Sequence, residues 1–173
     1  MTTHAEIISP TASDKVAQYH RDLEALHLSL SDADVSPDLS EEAVAGVVAT
    51  ESLWATIDRR FGLLSSAQAA RAAGARGTKS TLATDRRRAG KLMGIRRNNA
   101  LFFPGFQFSD GAVVPAAERV AMAARELRVP ESDALAWFML PTRQLDSDAA
   151  PVDALKDPDA VELAFRNHFG VQW

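Results

Sequence analysis

The sequence has no cysteine, a single tyrosine among its 173 residues, and no apolar run near the roughly 18 residues of a membrane-spanning helix. Without cysteine there are no disulfides and no thiolate chemistry, which suits a reducing cytoplasm. The N-terminus, MTTHAEIISPTASD, lacks a basic n-region and an apolar h-region, so a soluble, cytoplasmic protein with no membrane contact is expected. Motifs of catalysis are missing as well. There is no GxSxG elbow, no HExxH pair and no histidine near a nucleophile, and His168 stands alone close to the end. GARGTKS, residues 74–80, resembles a phosphate loop. However, Thr78 rather than glycine precedes Lys79, and a helix rather than a strand comes first. His20, Glu24 and His27 share a helix face, but no further strong ligand is near in sequence, so an exposed flank is expected rather than a metal site. No catalytic residue, cofactor, metal or small-molecule substrate is indicated, and no enzyme is expected.

What is present is a core-forming hydrophobic content of 46% and a very uneven charge. Between Arg71 and Arg97 lie nine of the 19 Lys and Arg residues and only one of the 23 acids, Asp85. That segment carries +8 and the remainder −12, which sum to the net charge of −4. Solvated faces usually mix the two signs, so a basic island in an acidic chain points to a polyanion on one face.

The periodicity predicts a mainly α fold. Residues 1–12 read as a flexible tail. From Ser13, Val16, Tyr19, Leu23, Leu26 and Leu30 form one helical stripe about two heptads long. After the polar break SDADVSPDLS, a second helix is expected over EEAVAGVVATESLWATIDRRFG, with Val44, Val47, Val48, Trp54 and Ile57 on its apolar side and Gly62 beyond its end. Residues 13–62 thus form an N-terminal helical region, a candidate for dimerisation. Ser65 and Gln68 make a capping box for a third helix that Gly74 closes. A turn at 75–77 and a fourth helix from about Thr78 to Ala89 complete the outline of a helix-turn-helix.

On that fourth helix, Leu82 and Ala89 mark the expected buried seam, with Ser80, Thr84, Arg87 and, if the helix runs on, Lys91 opposite it for base edges and phosphates. Lys79 precedes this row, Arg88 flanks it, and Arg86 lies nearer the seam. LMGIRR and ALFFP flank Asn98-Asn99, which predicts a β-hairpin, a wing carrying Arg96 and Arg97 beside the reading helix. Phe102, Phe103, Phe106 and Phe108 crowd around Pro104-Gly105 and are expected in the core rather than stacked on bases. The winged helix-turn-helix region is set at 63–110. An acidic helical region follows at 111–173, with helices at PAAERVAMAARELRV, PESDALAWFML and DPDAVELAFRNHF and a helical turn at PVDALKD.

Two blocks carry a family resemblance: LLSSAQAARAAG with DRRRAGKLMGIRRNNALFFPGFQF, and WFMLPTRQLDSDAAPVDAL. With them the chain resembles the Xre/MbcA/ParS-type antitoxins that pair with RES-domain toxins, from Leu63 to the C-terminus. FPGFQF is the most specific string. The family's usual Asp-Gly is Asp146-Ser147 here, and the helix-turn-helix turn is a residue or two longer than usual. The resemblance implies a type II antitoxin that neutralises a RES-domain toxin, itself NAD-consuming or ADP-ribosylating, and represses its own operon as a homodimer on operator DNA. It also implies a toxin-binding domain containing Trp137, Pro141, Arg143, Leu145, Asp146, Pro151, Leu155, Phe169 and Trp173, with the tail from Val171 reaching toward the toxin's active site. The alternatives are a stand-alone winged helix-turn-helix regulator whose C-terminal helices only dimerise, and an interaction module that has lost DNA binding.

Overall fold

The structure, a computed structural model, describes residues 41–76, 81–97 and 99–170. Outside the described residues lie the predicted tail, the Ser13 helix with His20, Glu24 and His27, the break at 31–40, Lys79, Ser80, Asn98 and the tail from Val171 to Trp173. Residues 1–46 and 47–173 form two separate compact units. Of the first, only the opening residues of one helix are described.

The described fold is mainly helical with small antiparallel sheets. Helix α1 (Glu41–Phe61) ends with Arg59 and Arg60 in its last turn, and Gly62 at φ +79° turns the chain out of it. Trp54 and Ile57 are buried as expected, whereas Val47 is 50% exposed and Val48 half-buried; the side chain of Val44 lies outside the described residues. Leu63 and Leu64 precede the capping box of the next helix. They form strand β1 (Leu63–Ser65), and Ser65 is at once the strand's last residue and the N-cap of helix α2 (Ser66–Ala72). The capping box is complete: the Gln68 N–H donates to Ser65 Oγ at 3.4 Å and the Ser65 N–H to Gln68 Oε1 at 2.9 Å. Gly74 closes α2 at φ +88°, and a Cβ there would lie 2.5 Å from the Gly111 carbonyl oxygen, so glycine is required twice over.

Helix α3 (Leu82–Arg88) has only two turns and ends before Lys91. Gly90 at φ +74° and the Lys91 N–H, which donates to the Arg86 carbonyl at 2.9 Å, close it. The predicted hairpin is present as β2 (Ile95–Arg97) and β3 (Ala100–Pro104), with Arg97 opposite Ala100 across the two-residue Asn loop and Asn99 at φ +60°. β1 joins on the far side of β3, Leu64 facing Phe103, which gives the order β1-β3-β2. A 3₁₀ turn (Gly105–Gln107) leads into a second hairpin, β4 (Phe108–Ser109) and β5 (Ala112–Val113), turned by Asp110 and Gly111 at positive φ.

Helix α4 (Pro115–Leu127) opens on proline at its first position, where the missing N–H costs nothing, and ends at Arg128 in the left-handed region. Helix α5 (Glu131–Trp137) is four residues shorter than the sequence predicts: Pro130 is its N-cap, and turns at Met139 and Leu140 replace its last three residues. After two 3₁₀ turns, helix α6 (Pro158–Phe169) begins with the Ala160 N–H donating to Asp157 Oδ1 at 3.0 Å. Among the described residues no helix is long and apolar enough to cross a membrane.

Two cores organise the unit. The smaller contains Ala69, Ala70, Ala83, Leu92 and Phe103, so α2 and α3 meet through alanines and approach closely. The larger joins Trp54, Ile57, Met93, Ile95 and Phe106 to Val120, Phe138 and Phe165. The expected boundaries at 62/63 and 110/111 are therefore not breaks in packing. Phe106 meets Phe61, before the first hairpin, edge-on and Phe138, after it, at a tilt, with ring centroids at 5.6 and 5.0 Å.

Candidate functional site

The basic island folds onto α2, α3 and the β2-β3 hairpin, and its root is held by FPGFQF. A Cβ on Gly105 would sit 2.0 Å from the Phe61 carbonyl oxygen, so only glycine permits the chain to pass there. Two residues later Gln107 is fully buried; its Oε1 accepts from the Met93 N–H at 3.0 Å and its Nε2 donates to the Met93 carbonyl at 2.8 Å. That amide replaces a missing strand partner just before β2 and satisfies both backbone groups of Met93. Sequence reasoning missed Gln107. Its signal was the lone polar residue in an aromatic string.

The phase of α3 differs from the expected one. Ala83 is the buried centre, Leu82, Thr84, Arg86 and Arg87 are half-buried, and Thr81, Asp85, Arg88 and Ala89 face outward. The seam is turned by about one residue because Ala83, with no side chain beyond Cβ, fits against the alanines of α2. Arg88 is thus the cation most presented by the helix, with a side chain 78% exposed and only Asp85 nearby at 3.6 Å. Arg87 and Lys91, expected to face outward, meet acids of the body. Arg87 Nε donates to Glu131 Oε2 at 2.8 Å, and Lys91 Nζ lies 3.4 Å from Glu118. In the hairpin, Arg97 is paired with Glu51 of α1, while Arg96 is exposed. Arg86 has its Nε enclosed without a hydrogen bond among the described residues. Arg71 at the end of α2, Arg76 beyond it and Arg96 are exposed and make no ion pair among the described residues.

The three counter-acids sit on three different helices, 46, 27 and 44 positions from their partners in sequence (Glu51 to Arg97, Lys91 to Glu118, Arg87 to Glu131). No local pattern could have revealed them. Glu131 does more than neutralise: the same Oε2 accepts the Gly94 N–H at 2.7 Å, at the root of the hairpin. Behind this bridge lies a cleft of about 400 Å³ between α3, α4 and the start of α5, lined by Arg87, Arg88, Arg125 and Glu131 over Leu92 and Met93.

The residues that the resemblance assigns to toxin binding divide by burial. Trp137, Leu145 and Pro151 are buried, and Trp137 packs edge-on against Phe138 and Phe165. Leu155 and Phe169 are half-buried, whereas Pro141, Arg143 and Asp146 are exposed next to Leu140, which is 56% exposed. Around them the helical layer is neutralised internally. Arg166 of α6 reaches Glu126 of α4 at 2.8 Å and Glu162 at 2.9 Å, and Arg119 of α4 pairs with Asp159 and Glu162 of α6. Both guanidiniums are held above their ordinary pKa, Arg119 mainly by its hydrogen bond to Asp159 and Arg166 mainly by its hydrogen bond to Glu162.

No protein-family model matches this chain, and neither the curated proteins nor the solved structures contain a match to it.

Proposed function

We propose that the protein is an antitoxin and autorepressor: a winged helix-turn-helix made of β1, α2, α3 and the β2-β3 hairpin binds operator DNA, and the acidic helical layer binds a RES-domain toxin. The observation that carries the DNA half is the unpaired or weakly paired set Arg71, Arg76, Arg88 and Arg96, distributed over the helix pair and the hairpin that β1 joins into one sheet. Such cations gain most from phosphate, because contact releases counter-ions without first breaking an internal pair. Lys91 and Arg97 have their terminal nitrogens on carboxylate partners and contribute less, whereas Arg87 is paired through Nε alone. The toxin half rests on the family resemblance. The exposed residues available for such contacts are Leu140, Pro141, Arg143 and Asp146, while Trp137, Leu145 and Pro151 are buried.

Burial of those three residues also favours a second reading, a stand-alone regulator whose C-terminal helices only self-associate. Two measurements decide. Alanine at both Arg88 and Arg96 is expected to weaken DNA binding and to lower the salt-dependence slope by about one unit per lost phosphate contact. An unchanged slope removes the DNA reading. Co-expression with a RES-domain toxin is expected to yield a co-eluting complex; separate elution leaves the stand-alone regulator.

A further inference from the structure

Among the described residues, Glu131 is the one acid that touches both α3 and the root of the hairpin at once. It stands in the first turn of α5, and one oxygen, Oε2, accepts from Arg87 Nε on α3 at 2.8 Å and from the Gly94 N–H ahead of β2 at 2.7 Å. Charge-assisted bonds of this length are short and directional, so the two donors are held at a set separation. Gly94 cannot drift to compensate. It is buried, and a Cβ on it would already lie 3.0 Å from the Phe102 carbonyl oxygen and 3.2 Å from the Phe103 ring. Arg87 is held by Nε alone; its two terminal nitrogens make no hydrogen bond among the described residues, and its side chain is 30% exposed. A guanidinium fixed through Nε has its rotamer entropy already spent and keeps a two-nitrogen edge for an anion.

We infer that Glu131 is a positioning residue of the proposed nucleic-acid face: it sets the guanidinium of Arg87 and the root of the hairpin relative to each other, so that α3 and the wing engage one duplex together. The inference rests on the DNA-binding reading above. It runs against simple electrostatics, in which an acid beside a DNA-binding face only repels phosphate and its charge is all that matters.

Two variants separate charge from reach. Glu131→Asp keeps the charge but is one methylene too short to serve both donors; Glu131→Gln loses the charge but keeps an acceptor oxygen at the same reach. Positioning predicts that Glu131→Asp binds duplex DNA roughly tenfold more weakly, the loss of one well-placed charged contact. Its salt slope is expected to fall by about one unit, and Glu131→Gln to bind at least as tightly as wild type. A purely structural role lowers the melting temperature without changing the slope. Wild-type affinity and slope in Glu131→Asp, or an equal loss in both variants, overturns the inference while leaving DNA binding intact. Absence of salt-dependent DNA binding in the wild type overturns the DNA reading and this inference together. The Gly94 amide, expected to exchange faster in Glu131→Asp than in Glu131→Gln, reports the bridge without DNA.

Discussion

The basic α2-α3-hairpin region and the acidic helical layer of α4 to α6 keep their charges in opposite ways. In the layer, arginines meet carboxylates of the same layer: Arg119 with Asp159 and Glu162, Arg166 with Glu126 and Glu162. The basic region has a single acid of its own, Asp85, and its other ion pairs reach out to Glu51, Glu118 and Glu131 on surrounding helices. Among the described residues, Arg71, Arg76 and Arg96 remain there exposed and without an ion pair. Their cores differ too, alanines with Leu92 and Phe103 in one and edge-on and tilted aromatics in the other. A region that cannot neutralise itself is fastened to one that can, and the surplus charge is left on the surface.

The firmest fastening is the shared aromatic core, so the comparison breaks first there. Phe138→Ala is expected to cost about 3–5 kcal/mol, as for other fully buried phenylalanines. Unfolding in urea, followed by far-ultraviolet circular dichroism and by tryptophan fluorescence, is expected to remain one transition for residues 47–173; two transitions would show that the regions are independent. Next is Gln107→Leu, which leaves both Met93 backbone groups buried and unpaired, at about 1–3 kcal/mol. Its signature is faster amide exchange in β2 than in α6. Ser65→Ala removes one half of the capping box and is expected to cost about 1 kcal/mol, read as a lower urea midpoint at unchanged slope. The smallest effect is a contrast of charges. Arg166→Ala in the layer is expected to leave the salt slope of DNA binding unchanged, whereas Arg96→Ala lowers it by about one unit; equal effects would erase the distinction between the regions.

Local patterns carried a large part of the fold. The capping box at Ser65 and Gln68, the closing Gly74, the Asn98-Asn99 loop, the Asp157 cap and the buried Trp54 and Ile57 were legible because each depends on residues a few positions apart. Strand β1 was not, since three residues have no period to read and exist as a strand only through pairing with β3, some 40 positions on. The phase of α3 failed for a related reason. Over two turns, Leu82 and Ala89 outweigh Ala83 in hydrophobicity, yet the close alanine packing of α2 favours the smallest side chain at the contact.

The candidate site divides along the same line. By itself the sequence determined that a +8 island exists, that helices and a hairpin carry it, and that an acidic helical region follows, because charge and short-range periodicity are properties of the chain. Only the tertiary structure decided which cations are spoken for. Glu131, Glu118 and Glu51 take Arg87, Lys91 and Arg97 from helices distant in sequence, and Arg88 and Arg96 are left outward. Ion pairing depends on separation in space, and that separation is set by packing alone.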